Sequence, residues 1–420
     1  MSVVEFALNS ELHATRDNPH LHRAILRCLH RPLSVLVSNL SAHLLPLLSS
    51  SAFLTPAAPT PQAPNPNPTQ LHALALAGLA GELLEVFDDL GLGMEVDARG
   101  EGLKIIRDSL VSLVSRVVNP LMGSIKAELT PLIVALENPV TMNAGPARTL
   151  AGSKPSMVQH QSIIALQTLM PIYARALTRY TASTTSQATL ASLLISLLWR
   201  GVVALAHRPY QQVSPPNSPG LGPAMLKGRR QSTSMSPPVT PPSTRFAIKL
   251  PPSRPPSPPS VQVPSTAAAD ARALYDLLSL LPRPVAANQL AHEAVDEAFD
   301  GLKALRALLE AAQTNAFGKG HQTEAELETE LEALTTDLPT LIALPIILRA
   351  YCSTSRTIAE MVGISEDEYR KGCLPGFSRA EECAAAVGRR VLDVLANEAV
   401  TSAKLTVIIW LEVEVANADD

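Results

Sequence analysis

The side chains whose spacing points most directly to chemistry are hydroxyls placed next to proline. Ser214, Ser218, Ser236, Thr240 and Ser257 each precede a proline, the arrangement read by proline-directed kinases. Arg229-Arg230-Gln231-Ser232 sets two arginines ahead of Ser232, which suits a basophilic kinase. Each phosphate adds about −1.5 to −2 charges at neutral pH. The same stretch holds short docking patterns. Lys249-Leu250-Pro251-Pro252-Ser253-Arg254-Pro255 has the form K-x-x-P-x-x-P of a polyproline ligand for an SH3-type groove, with Lys249, Pro252 and Pro255 at the fixed positions. Arg254 through Pro259 gives R-x-x-S-x-P, a form read by phosphoserine-binding adaptors, from which Pro258 directly after Ser257 departs. Phe246, Ile248 and Leu250 alternate at the β period in a polar context, the pattern of a strand that adds to an exposed sheet edge.

Catalytic patterns are scarce. "GLGMEV" begins as G-x-G but has Val96 where the third glycine belongs, and "FGKGH" lacks the upstream glycine and the hydroxyl of a phosphate-binding loop. No nucleophile elbow and no kinase signature occurs. His13, His20, His22 and His30 cluster with Asp17 and Cys28, but His20 and His22 are two apart and face different sides of a helix. Neither a metal nor a cofactor is expected. Arg23, Arg27 and Arg31 share one helical face, a stripe able to grip phosphate or an acidic partner. Glutamates at 324, 326, 328, 330 and 332 are too evenly spread for a catalytic pair and read as a solvated helix surface. Cys373 has no histidine close in sequence to activate it and is expected to be inert.

The elements that must position these groups are helical. Aromatic residues make up only 4% of the 420, so the core is Leu, Ala, Val and Ile, a composition suited to helix–helix packing. The prediction is an all-α chain: an N-terminal helical lobe over 1–207 with a proline-rich loop at 55–68, a disordered Pro/Ser-rich linker over 208–266, and an acidic helical lobe over 267–420. Whether the two lobes pack as one bundle is left open. Sixteen of the 36 prolines fall between Pro209 and Pro264, too many for helix or central strand. Charge divides along the same lines. Residues 1–206 carry 14 basic and 13 acidic side chains, 207–266 carry 7 and none, and 267–420 carry 13 and 25, for nets of +1, +7 and −12. The basic linker and the acidic lobe therefore attract each other.

Asn18 with Pro19 predicts a helix start, as do Ser156 with Gln159, Thr323 with Glu326, Ser365 with Glu368 and Ser378 with Glu381. An apolar series at 103, 106, 110, 113, 117, 121, 125, 129, 132 and 136 has the spacing of a bundle or coiled-coil seam, with kinks or a break expected at Pro120 and Pro131. Thr189–His207 is apolar on nearly every face and is expected to be central. Pro345 is expected to interrupt a buried helix around 338–352. The tail "LTVIIWLEVEV" is β-branched, but no second strand exists to pair with it, so it is assigned to helix. Four cysteines without a CxxC pair and an N-terminus without a secretory pattern indicate a reducing compartment, cytoplasm or nucleus. No segment reads convincingly as membrane-spanning, and too few basic and aromatic residues cluster for nucleic acid.

The function this reading favours is a non-catalytic regulatory scaffold whose linker is phosphorylated and docks kinases, SH3-type domains or phosphoserine-binding adaptors. The alternatives are a constitutive subunit of a larger helical complex, tethering or transcription-associated, whose seam pairs with another chain, and, third, an enzyme on a helical scaffold.

Overall fold

Asn18 opens the first helix: its side chain accepts from the backbone N–H groups of His20 and Leu21, each at 3.2 Å, and Pro19 takes the first turn, where a missing N–H costs nothing. The computed structural model describes residue 10 and residues 18–55, 58–93, 103–139, 158–209, 265–314, 324–352, 356–397 and 402–418. These are helical, and no strand occurs among them. Helix α1 (Pro19–Leu48) is followed by the single turn α2 (Ser51–Leu54) and by α3 (Pro68–Asp89). A capping box closes the start of α3: Gln70 N donates to Asn67 Oδ1 at 2.8 Å and Asn67 N to Gln70 Oε1 at 3.0 Å. Both side chains also reach back to α2, Asn67 Nδ2 to Ala52 O and Gln70 Nε2 to Phe53 O.

The long apolar series becomes α4 (Lys104–Val134), finished by a 3-10 turn at Ala135–Glu137. Ile106, Leu110, Leu113, Val117, Leu121, Ile125 and Leu129 are all buried, against α1, α3, α5 and α6 of the same chain. The seam that could have paired with another molecule is therefore already covered. Of the kinks or a break expected at Pro120 and Pro131, the break does not occur: α4 is continuous over 31 residues. Pro32, Pro46, Pro120, Pro131 and Pro171 all lie inside helices, and each is exposed together with the residue four positions earlier. The carbonyl that each proline frees thus faces water, which can replace the lost hydrogen bond.

Helix α5 (Gln161–Tyr180) begins at His160, so the Ser156–Gln159 cap is not used; Ser156 lies outside the described residues. His160 Nδ1 accepts from Ser162 N at 3.1 Å, which leaves Nε2 to donate to Asn138 O at 3.0 Å. After a 3-10 turn at Thr184–Ser186 comes α6 (Gln187–Ala206), the central helix, packed on α4 and on three helices from beyond the proline-rich segment. Those later helices are α7 (Ala267–Leu278), α8 (Gln289–Thr314), α9 (Glu324–Thr335), α10 (Thr340–Tyr351), α11 (Ile358–Val362), α12 (Glu366–Cys373), α13 (Phe377–Ala396) and α14 (Ser402–Asn417). The β-branched tail is thus helix. Pro345 is buried within an uninterrupted α10. Ser365 and Glu368 form the expected capping box, and Thr357 with Glu360 forms a second one that the sequence reading passed over. Ser378 caps nothing: α13 starts one residue earlier, behind Gly376. Thr323 lies outside the described residues. The segments Pro68–Asp89 and Thr184–Ala206 are long and apolar enough to cross a membrane; here both pack against neighbouring helices.

The helices before and after the proline-rich segment belong to one compact unit. Helix α6 contacts α7, α8 and α10, and a Cβ on Gly201 would come within 2.5 Å of Leu274 Cδ2, so α6 and α7 approach as closely as a glycine permits. Arg208 and Asp270 form a buried ion pair at 2.7 Å, their side chains 5% and 2% exposed. Arg208 Nε also donates to Leu136 O at 2.6 Å, and Ser265 Oγ donates to Asp270 Oδ1 at 2.5 Å. Farther along the junction Trp199 Nε1 donates to Leu374 O at 2.9 Å, Arg370 grips Glu137 through two contacts of 2.6 and 2.7 Å, and Arg349 donates to Ala206 O.

Two predictions follow from this junction. Arg208→Met leaves a buried carboxylate without its partner and should cost about 3–5 kcal/mol in urea unfolding, whereas adding Asp270→Leu should restore most of the loss. The second concerns His207. Its Nδ1–H donates to Val203 O at 3.0 Å, while Nε2 is buried without a partner in a residue that is half-buried as a whole. Burial lowers its pKa to about 4, outweighing the Val203 hydrogen bond that favours the charged form. The unfolded chain therefore binds a proton between about pH 6.5 and 4 that the folded one does not. The neutral ring's contribution is complete above pH 6.5 and falls away towards pH 4, by on the order of 3 kcal/mol. His207→Asn should flatten the fall in stability over that window, as read by denaturant midpoints at several pH values.

Candidate functional site

Six candidate phosphoacceptors, Ser214, Ser218, Ser232, Ser236, Thr240 and Ser257, and six candidate docking residues, Phe246, Ile248, Lys249, Leu250, Pro252 and Pro255, lie outside the described residues. Arg23, Arg27 and Arg31 lie on α1 and are exposed, on a helix that packs against α2, α3 and α4. On the glutamate-rich α9 the spacing of Leu327, Leu331 and Leu334 predicts an inward face; Leu331 is fully buried and Leu334 half-buried, and the side chain of Leu327 lies outside the described residues. Among the described residues no group of three or more His, Cys, Asp or Glu side chains is arranged to hold a metal ion.

What the fold does assemble is an acidic cleft of about 870 Å³. Its base is the outer face of α8, where Glu293, Asp296, Glu297 and Asp300 recur at helical spacing. Asp337 comes from the turn before α10, Glu381 and Glu382 from the start of α13, and Glu414 from α14. These eight carboxylates line the cleft with no lysine, arginine or histidine among its lining residues. Some are held from behind. Arg283 Nη1 reaches Asp296 at 2.5 Å and His292 reaches it at 2.9 Å, Arg379 pairs with Glu382 at 2.7 Å, and Thr340 Oγ1 donates to Glu414 at 2.8 Å. Glu297, Asp337 and Glu381 make no ion pair with a described residue. The cleft has no nucleophile–base pair, so what it offers is a concentrated negative field for a cationic ligand.

Half of the carboxylates of this cleft are legible in the sequence, because Glu293, Asp296, Glu297 and Asp300 mark the polar face of an amphipathic helix. The α13 and α14 carboxylates join it only through packing: α13 lies on α10 and α14, and α10 lies on α8. Comparison of the chain with protein-family models, curated proteins and solved structures finds no match.

Cys373 ends α12 beside Cys383 of α13. Burial, and then hydrogen bonding with the Cys383 thiol, pushes its pKa up to about 11. At neutral pH it stays a thiol and is a poor nucleophile. With iodoacetamide at pH 7.5, the exposed Cys28 should be alkylated about tenfold faster or more than Cys373, as followed by peptide mass spectrometry.

Proposed function

We propose that this protein is a non-catalytic regulatory scaffold, switched by phosphorylation of residues 208–266 and read by protein partners through the short motifs in that segment. The observation that carries this reading is the cleft of eight carboxylates with no basic residue in its lining, in a chain whose 209–264 stretch holds six basic residues and no acidic one, Arg208 being already paired with Asp270. Opposite charges of this size attract over roughly 10 Å at ordinary ionic strength. Three or four phosphates among Ser214, Ser218, Ser232, Ser236, Thr240 and Ser257 bring about −5 to −8 charges and largely cancel or reverse the +6 of residues 209–264. In this scheme the unmodified segment is retained on the acidic face. Phosphorylation releases it, and with it the SH3-type pattern around Pro252 and Pro255 and the Phe246-Ile248-Leu250 strand pattern. Kinases and SH3-type or phosphoserine-binding adaptors are the partners, in cytoplasm or nucleus.

The test uses the full chain. Replacing Ser214, Ser218, Ser236, Thr240 and Ser257 by glutamate should enlarge the hydrodynamic radius and speed limited proteolysis within 210–264 several-fold, and the alanine set should not. Reversing the cleft with Glu297→Lys and Glu381→Lys should mimic the glutamate set. If radius and protease pattern are the same in all four proteins, the segment is a spacer and the switch is wrong.

A further inference from the structure

Helix α6 is the central helix, and Arg200 is the only charged residue among its twenty. Yet one stripe of it reaches the surface. Ala188, Ser192, Ile195, Ser196, Arg200 and Val203 are exposed or half-buried at steps of three and four, so they share one side of the helix. A helix face turned to water ordinarily carries charged or strongly polar side chains. This one offers aliphatic groups, two hydroxyls and a single cation.

The stripe is the floor of a groove of about 990 Å³. From Ala188 to Ala204 the floor extends about 24 Å at the rise of an α-helix. One wall is α4, with Lys126 and Val134. The other is the start of α8, with Leu290, and the connection from α12 into Phe377 of α13. Val134 is 41% exposed and Leu290 82%, so both walls present uncovered apolar side chains.

The charge of the groove is opposite to that of the cleft. Lys126, Arg200, Arg370 and Lys371 line it against one carboxylate, Glu137, which Arg370 already grips. Lys371 reaches Asp367 at 3.2 Å, but both are largely exposed and the pair is worth little. Lys126 and Arg200 make no ion pair with a described residue. They are also close enough to repel, since Arg200, after burial, holds the Lys126 ammonium below the usual lysine range. Two unneutralised cations beside an apolar floor 24 Å long, in a chain of net charge −4, ask for a ligand that is elongated, apolar on one side and acidic on the other.

We propose that this groove is the docking site for an acidic amphipathic helix of a partner protein, its apolar side along α6 between Val134 and Leu290 and its carboxylates at Lys126 and Arg200. The small side chains of Ala188, Ala191 and Ser192 let a helix backbone lie close to the floor. A lipid chain fits less well, because it would cover the Ser192 and Ser196 hydroxyls and offer them no hydrogen bond. The docking site is independent of residues 208–266, and its test leaves them untouched.

The experiment is a fluorescence anisotropy titration of the full-length protein. The probe is a labelled helical peptide of about 16 residues, matched to the floor, with leucines at i, i+3, i+4 and i+7 spacing and glutamates elsewhere. The same peptide with lysines for glutamates, and neutral and anionic phospholipid vesicles, serve as competitors. The glutamate peptide should bind, more weakly as salt rises, and the lysine peptide at least about tenfold less well. Lys126→Glu with Arg200→Glu should weaken the glutamate peptide about tenfold or more, and Lys126→Gln with Arg200→Gln by less. Ser196→Trp, which fills the floor without changing charge, should weaken it too. Circular dichroism and melting curves identical to the parent's establish that the variants are folded. No binding of the glutamate peptide, or equal binding by the charge-reversed protein, overturns the proposal. Vesicle binding that the peptide does not displace and that Ser196→Trp abolishes overturns it in favour of a lipid site.

Discussion

The arrangement of the whole helical body depends on a buried ion pair, Arg208 with Asp270. Removing two charges from water costs several kcal/mol each, and their attraction alone seldom offsets that. Two further hydrogen bonds support it, although Arg208 Nη2 is buried without a partner: Arg208 Nε donates to Leu136 O in the 3-10 turn that finishes α4, and Ser265 donates to the second oxygen of Asp270. The pair therefore joins three elements, the 3-10 turn after α4, the second residue beyond α6 and the first turn of α7. Its second consequence is topological. Arg208 lies two residues before 210, and Ser265 directly follows 264, so both ends of the segment 210–264 are fastened at one place. Whatever the length or chemistry of that segment, α7 begins beside the end of α6, and α7, α8 and α10 can pack on α6 as if the connection were short.

Because α6 is enclosed by both halves of the chain, it has to be apolar nearly all round, and the charges of the second half are driven to outer faces. Helices α8, α13 and α14 bury their apolar sides against α6, α10 and one another, which leaves their carboxylates to meet in one cleft. Eight of the 25 acidic residues of 267–420 are thus concentrated in one place. The single uncovered stripe of α6 opens on the side where Lys126, Arg200, Arg370 and Lys371 stand. One body therefore presents an acidic cleft and a basic, apolar groove whose linings share Phe377 alone, and the two select ligands of opposite sign.

Much of the helical framework was legible where a local rule suffices. Asn18 before Pro19, and Ser365 three residues before Glu368, fix helix starts by hydrogen bonds within one turn, and no distant contact is needed to make them. Prolines were less legible. A proline inside a periodic apolar series suggests kinks or a break at Pro120 and Pro131 and an interruption at Pro345, and no helix is broken at any of the three. For the first two, what decides is whether the carbonyl four residues back meets water, and that depends on which face the rest of the body covers. Arg116, four before Pro120, is a polar side chain and was a usable sign; Ala127, four before Pro131, gives none. The cap at His160 was missed because a histidine ring can cap with Nδ1 only if Nε2 has an acceptor, and Asn138 O lies 22 residues away in sequence. The cleft was half-visible for the same reason: the spacing on α8 is local, while the approach of Asp337, Glu381, Glu382 and Glu414 is not.

The destination of the apolar seam bears most on how the molecule meets others. A series of ten apolar positions from Leu103 to Leu136 looked like the surface for a second chain, and the idea of a constitutive subunit rested on it. In the fold α1, α3, α5 and α6 cover it, with Leu110, Val117, Ile125 and Leu129 wholly removed from solvent. Helical partners can then engage only what remains uncovered. Scattered exposed leucines are normal on any surface and select nothing. A strip of small, largely apolar side chains that carries Arg200 and borders Lys126, neither of them in an ion pair with a described residue, does select, because a partner must match its length, its apolar face and its sign together. The α6 groove meets that description, and the seam does not.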